Sequence, residues 1–129
     1  MKISAKGQYA VRLMADIAKS EESISIASIA KNQEISTKYL EQIASMLVKQ
    51  GLIESTRGAF GGYTLAKNAD EISIKDILET TGDTCQIAPC VKGSCARKNK
   101  CTASKVWGNL GNLIDDYLSK ITLKELIEK

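Results

Sequence analysis

Apolar positions return along this chain at changing intervals, and the order of those intervals outlines a fold. Tyr9, Ala10, Leu13, Met14, Ile17 and Ala18 recur with helical period, which predicts a first helix over roughly residues 5–19. Ser25 can cap a short second helix through Ile26, Ile29 and Ala30, and Ser36 can cap a third. The third carries Leu40, Ile43, Met46 and Leu47 on its apolar side, and Gly51 stands where a C-cap glycine would end it. Two short helices joined by a brief turn form the helix-turn-helix pattern.

The period then shortens. Leu52–Thr56 and Tyr63–Ala66 read as strands around the turn Arg57-Gly58-Ala59-Phe60-Gly61-Gly62. A hairpin directly after a recognition-helix candidate is a wing. Its three glycines are expected to allow positive φ and close approach to another surface. Arg57 at its base can reach a phosphate or a narrow minor groove. Taken alone, the same residues make a tight turn beside a solvated arginine; their place after a helix-turn-helix is what favours a wing.

Off the apolar stripe of the third helix lie Ser36, Thr37, Lys38, Tyr39, Glu41, Gln42 and Ser45. Ser36, Lys38 and Tyr39 suit phosphate contacts near a helix N-terminus. Gln42 could pair with adenine, and Glu41 could accept from cytosine N4. An ordinary polar helix face is the alternative. A carboxylate repels phosphate, so a DNA-facing Glu41 would select sequence rather than add affinity.

Helical period resumes in the last third. Ser73 and Asp76 resemble a capping pair for a short helix through Ile74, Ile77 and Leu78, closed by Gly82. A long helix over roughly residues 102–120 carries Val106, Leu110, Leu113, Tyr117 and Ile121 at near-heptad spacing, with Trp107, Ile114 and Leu118 beside them. So broad an apolar surface calls for partners on two sides, the chain's own head and a second protomer. Val106, Leu110, Leu113, Ile114 and Tyr117 are the candidate interface of a homodimer, whose twofold axis would match a palindromic operator. The alternative is that one chain buries the whole helix. Gly108 and Gly111 each cost about 1 kcal/mol against alanine, which close helix–helix approach would justify. Thr122 and Glu125 spell a capping box for a terminal helix. The expected fold is mainly α with a small β-hairpin: a winged helix-turn-helix over 1–82, a cysteine-rich loop over 83–102, and a dimerisation helix with a C-terminal helix over 103–129.

Composition narrows the function. Among the 129 residues no stretch nears the ~18 apolar residues of a membrane span, and residues 1–8 lack the apolar run of a secretory signal. A cytoplasmic protein with no membrane partner is expected, where clustered thiols are metal-binding or redox-active rather than structural disulfides. The formal net charge is +3. Residues 1–82 balance, and the excess lies where Lys92, Arg97, Lys98, Lys100 and Lys105 face only Asp83. These cations can bind phosphate, but they also favour thiolates in a cluster that carries negative charge.

All four cysteines, Cys85, Cys90, Cys95 and Cys101, fall in that segment, and the chain has no histidine. Structural zinc sites typically use two Cys-x2-Cys knuckles, absent from this Cys-x4-Cys-x4-Cys-x5-Cys spacing. Iron–sulfur clusters are held by thiolates, normally four, and so rank ahead of zinc. A reversible disulfide pair is the third option. Without histidine there is no convincing nucleophile–base pair and no phosphate-binding motif, so an enzyme is not expected. A ferredoxin-like electron carrier would need the cluster but not the wing.

The chain resembles the Rrf-type winged-helix repressors, most closely their iron–sulfur cluster regulators. The resemblance is carried by Met1 to Met14 with Lys6-Gly7-Gln8-Tyr9-Ala10-Val11, and by Ile35-Ser36-Thr37-Lys38-Tyr39-Leu40-Glu41-Gln42. It continues through Gly51-Leu52-Ile53, Arg57-Gly58, Gly61-Gly62-Tyr63, the Cys90/Cys95/Cys101 loop and Ile121-Thr122-Leu123, so it spans essentially the whole chain. It implies a homodimer with a crossed long helix, three cysteine ligands to a cluster in each protomer, and transcription linked to cluster supply, iron, oxygen or nitric oxide. DNA contacts would fall on Ser36, Lys38, Tyr39, Glu41, Gln42 and Arg57, beside Thr37 and Gly58, with Lys6 on a phosphate. Where the cluster regulators carry a histidine three residues after the last cysteine, this chain has Ser104. Where nitric-oxide-sensing relatives carry an aspartate near the start of the first helix, it has Gln8. Cys85 is the candidate fourth ligand, and either a 2Fe–2S or a 4Fe–4S cluster is compatible with the spacing.

Overall fold

The computed structural model describes residues 3–59, 61–83 and 102–128. Its elements run α1 (Ala5–Lys19), α2 (Ile26–Gln33), α3 (Thr37–Lys49), β1 (Ile53–Thr56), β2 (Gly62–Leu65), a 3-10 turn (Ala69–Glu71), α4 (Ile74–Thr80), α5 (Ser104–Lys120) and α6 (Leu123–Ile127). Side-chain caps explain most of the starts. Ser4, Ser25, Ser36, Ser73 and Thr122 stand in extended backbone, and each hydroxyl accepts an N–H three residues on. At Ser73 the box is reciprocal, since Asp76 accepts the Ser73 N–H in return. At Thr122 it is the hydroxyl half that forms, taking the Glu125 N–H at 3.2 Å.

One core joins every part of the head. Ala10, Leu13, Met14 and Ile17 of α1 meet Ile29 of α2, Leu40, Ile43, Ala44 and Leu47 of α3, and Leu52, Ile53, Ile72 and Ile77. Met46, expected on the buried side of α3, is half-buried, and the smaller Ala44 packs inward instead. The chain's last helix returns to this core: Leu123 is fully buried among these residues, and its N–H donates to the Ile72 carbonyl at 2.8 Å. The Ile74 N–H donates to the Ile121 carbonyl at 3.0 Å, so the caps of α4 and α6 lie side by side as a short antiparallel bridge.

The hairpin is antiparallel, in register from Ile53 opposite Leu65 to Thr56 opposite Gly62. Ile24 adds a third edge, exchanging both backbone hydrogen bonds with Tyr63 at 3.1 and 2.8 Å. The glycines of the turn divide their work. Gly58 alone takes positive φ, +110°. A Cβ on Gly61 would lie 2.6 Å from the Thr56 carbonyl oxygen, and one on Gly62 would strike the Ile24 carbonyl. Those two glycines therefore serve the close approach of the chain to its own backbone.

Candidate DNA-binding face and cysteine loop

The turn of the helix-turn-helix is built from both sides. Glu34 ends α2 in the left-handed region at φ +57°, and its N–H donates to the Ala30 carbonyl. Arg12, from α1, donates to the Gln33 carbonyl at 2.6 Å and to Gln33 Oε1 at 2.8 Å, so the last carbonyl of α2 is satisfied by a guanidinium. Gln33 Nε2 in turn donates to Asp16 Oδ1 at 2.9 Å. Arg12 also lies over the Tyr9 ring, 5.4 Å from its centroid, and Tyr9 meets Tyr39 edge to face at 5.5 Å. Nothing in the sequence periodicity singled out Arg12 or Gln33. The one sequence signal is that Gln33 adjoins a turn that has no glycine, while Arg12 lies mid-helix in α1.

This frame presents the expected DNA-facing residues. Ser36, Thr37, Lys38, Glu41 and Gln42 are exposed on α3, while Tyr39 is half-buried by its contact with Tyr9. Lys6 is half-buried in the first turn of α1. An open depression lined by Ala5, Tyr9, Glu34, Ile35, Ser36 and Tyr39 brings the first turns of α1 and α3 together. Arg57 and Gly58 are exposed at the turn end of β1, on the wing that follows α3. Lysine, arginine and amide side chains are the groups that contact phosphates and base edges in DNA.

The long helix leaves its expected stripe uncovered within one chain. Val106 is 57% exposed, Trp107 41%, Leu110 42%, Leu113 67% and Tyr117 65%, and Ile114 is half-buried. Ile114 lines an open apolar groove with Ile3, Leu113, Tyr117 and Leu118. The opposite side of α5 rests on the head: Gly111 is buried, and Lys75 of α4 meets Asp115 at 2.9 Å. Gly111 is thus the buried glycine of the helix. A Cβ on Gly108 would meet nothing within 4 Å, so no contact within the protomer explains that glycine.

Cys85, Cys90, Cys95 and Cys101 lie outside the described residues, between α4 and α5. Among the described residues no group of three or more metal-ligating side chains could hold an ion. At the entrance to the cysteine segment stands Asp83, which the sequence offered only as a lone acid among cations. It accepts from the Ser4 N–H at 3.0 Å, the Ser4 hydroxyl at 2.8 Å and the Thr81 hydroxyl at 2.8 Å. Burial pushes its carboxyl up, but these three hydrogen bonds outweigh burial and hold it below the ordinary carboxylate value.

A helix-turn-helix with an exposed polar recognition face, followed at once by a hairpin wing, defines a winged-helix DNA-binding transcription regulator and not an enzyme. Over residues 3–129 the chain matches the Rrf2 family, described as an iron-dependent transcriptional regulator, and it belongs to that family. The HTH-type transcriptional regulator IscR of Cronobacter sakazakii is 38% identical over 98% of this chain and 80% of its own length. The structure of CymR, the global cysteine regulator of B. subtilis, superposes with a TM-score of 0.83 at 32% identity, covering 99% of this chain and 97% of that one. An oxidized form of Staphylococcus aureus CymR gives a TM-score of 0.81 at 38% identity, covering 100% and 98%. No helix among the described residues is long and apolar enough to cross a membrane.

Proposed function

We propose that this chain is a homodimeric repressor whose DNA affinity or sequence choice is switched by an iron–sulfur cluster, in answer to cluster supply, iron, oxygen or nitric oxide. Cys90, Cys95 and Cys101 are the principal ligands and Cys85 is the fourth. The observation that carries this reading is the placement of all four thiols between the head's last helix and the uncovered long helix, in a family of iron-dependent regulators. Four thiols without an imidazole are a donor set that fits such a cluster, and the nearby lysines and arginine favour their thiolate form. When bound, the group would supply a redox- and oxygen-sensitive centre. With all-thiolate ligation, its affinity would lack the pH dependence that a ligating imidazole brings.

Ser36, Lys38, Tyr39 and Lys6 position the protein on phosphates, with Thr37 beside them. Arg57 and Gly58 bring the wing to the backbone or minor groove, and Glu41 and Gln42 discriminate bases. The uncovered stripe on α5 holds two protomers together, which fixes the separation of two recognition helices. A difference of 1.4 kcal/mol between the two dimer geometries changes affinity tenfold.

The test is Cys95→Ala, measured on a duplex selected from random sequence by the wild-type protein. Cluster-loaded and chelator-stripped wild type should differ in affinity, and the variant should bind with a single affinity under both treatments. Equal binding by loaded and stripped wild type would refute the switch.

A second reading keeps the DNA-binding head and replaces the cluster with a thiol–disulfide or zinc switch. It is favoured by the likeness to CymR, whose solved forms include an oxidized one. Iron, sulfide and zinc analysis separates the two. The electron-carrier alternative finds no support in a family of transcription regulators.

A further inference from the structure

We propose that Asp83 is a positioning residue that carries the state of the cysteine loop to the recognition helix. The inference rests on the reading of that loop as the sensor. Asp83 follows Gly82, the positive-φ stop of α4, and precedes Cys85 by two residues. Its side chain is committed to the start of α1. One carboxylate oxygen accepts the Ser4 N–H, and the other accepts the hydroxyls of Ser4 and Thr81. The same Ser4 hydroxyl accepts the Gly7 N–H at 2.9 Å and so caps α1. The first turn of α1 has no acidic residue of its own, and Asp83 places a negative charge at that terminus.

Gly7 is shaped to this contact. A Cβ there would collide with Asp83 Oδ2 and lie 3.1 Å from both Asp83 Cγ and Leu78 Cδ2. A buried glycine in the first turn of a helix costs stability relative to alanine, and here it leaves room for the carboxylate. From that turn α1 leads directly to Tyr9, set edge-on against Tyr39 in the first turn of α3. One turn further, Arg12 holds the Gln33 carbonyl at the close of α2. A helix transmits displacement stiffly along its axis. The path from the loop therefore runs through Asp83 and Ser4 to the rings of Tyr9 and Tyr39, and ends beside Ser36 and Lys38. A rearrangement of the loop that withdraws Asp83 would free the Ser4 cap and shift that turn.

The experiment compares full-length protein reconstituted anaerobically with ferrous iron and sulfide against chelator-stripped protein, on a duplex selected by the wild type. Asp83→Ala and Gly7→Ala break the contact from opposite sides. Gly7→Ala improves helix propensity, so it keeps the test open should Asp83→Ala fold poorly. The wild-type ratio of loaded to stripped affinity is expected in the range of about five- to 150-fold, falling to within about twofold of one in both variants. The visible circular dichroism of the loaded protein should stay that of the wild type. Amide exchange over residues 4–8 should differ between loaded and stripped wild type and become equal in the variants, and Asp83→Asn, which retains an acceptor oxygen, should restore part of the ratio. Variants that keep the wild-type ratio and exchange difference would overturn the inference alone. A wild type that takes up no cluster, or binds equally with and without it, would overturn the sensor reading and this inference with it.

Discussion

Leu113 offers the sharpest test of how the long helix is used. It is 67% exposed within one chain, so Leu113→Glu disturbs little of the packing within the protomer. Fully burying a leucine side chain is worth about 1.5–3 kcal/mol, so covering the exposed two-thirds is worth about 1–2 kcal/mol. A twofold axis counts that loss twice, giving about 2–4 kcal/mol per dimer before any repulsion between the two carboxylates. At 1.4 kcal/mol per decade, the dimer dissociation constant should rise roughly thirty- to seven-hundredfold. Sedimentation velocity across a concentration series measures it, with Asn112→Glu, off the stripe, as the control that should leave assembly unchanged. The melting temperature of dilute, monomeric protein should move little. Leu113→Glu protein that sediments as the wild type does at every concentration would refute the placement of the second protomer on this stripe.

Three further changes probe the head. Arg57→Ala should weaken binding about equally across DNA sequences and lower the salt slope by about one, as expected of a phosphate contact; a change confined to one base position would contradict that role. Gly62→Ala should cost about 1–3 kcal/mol in thermal unfolding, because its Cβ meets the Ile24 carbonyl, which is backbone and cannot swing aside. Leu123→Ala, fully buried at the start of the last helix, should cost about 2–5 kcal/mol in urea unfolding, and an unchanged midpoint would show that α6 is not part of the core.

The helices of this fold were legible because each carries its apolar residues at one interval and all but α5 begin with a hydroxyl cap. That held for Ser25, Ser36, Ser73 and Thr122, and the stop at Gly51 shows in its φ of +77°. The wing was legible from the order of its elements. The positive φ expected of the turn falls on Gly58, but sequence does not show that Gly61 and Gly62 pass against Thr56 and Ile24. The bridge from Ile24 to Tyr63 was invisible for a similar reason, since a single paired residue has no period. Around the candidate site, the polar face of α3 and the apolar stripe of α5 followed from spacing alone. The contacts that link them to the rest did not. Arg12 with Gln33, and Asp83 with Ser4, pair residues 21 and 79 positions apart, each with an ordinary local environment. Gly7 was the one hint, an unexplained glycine in a first helical turn.

The central claim is that the four cysteines hold an iron–sulfur cluster. It is tested most directly by the absorption spectrum of anaerobically purified protein, with iron, sulfide and zinc quantified on the same sample. The account predicts broad visible bands with iron and acid-labile sulfide in matched amounts, and their ratio per chain would distinguish a 2Fe–2S from a 4Fe–4S cluster. Protein that is colourless as isolated, and remains so after anaerobic reconstitution with iron and sulfide, would contradict it.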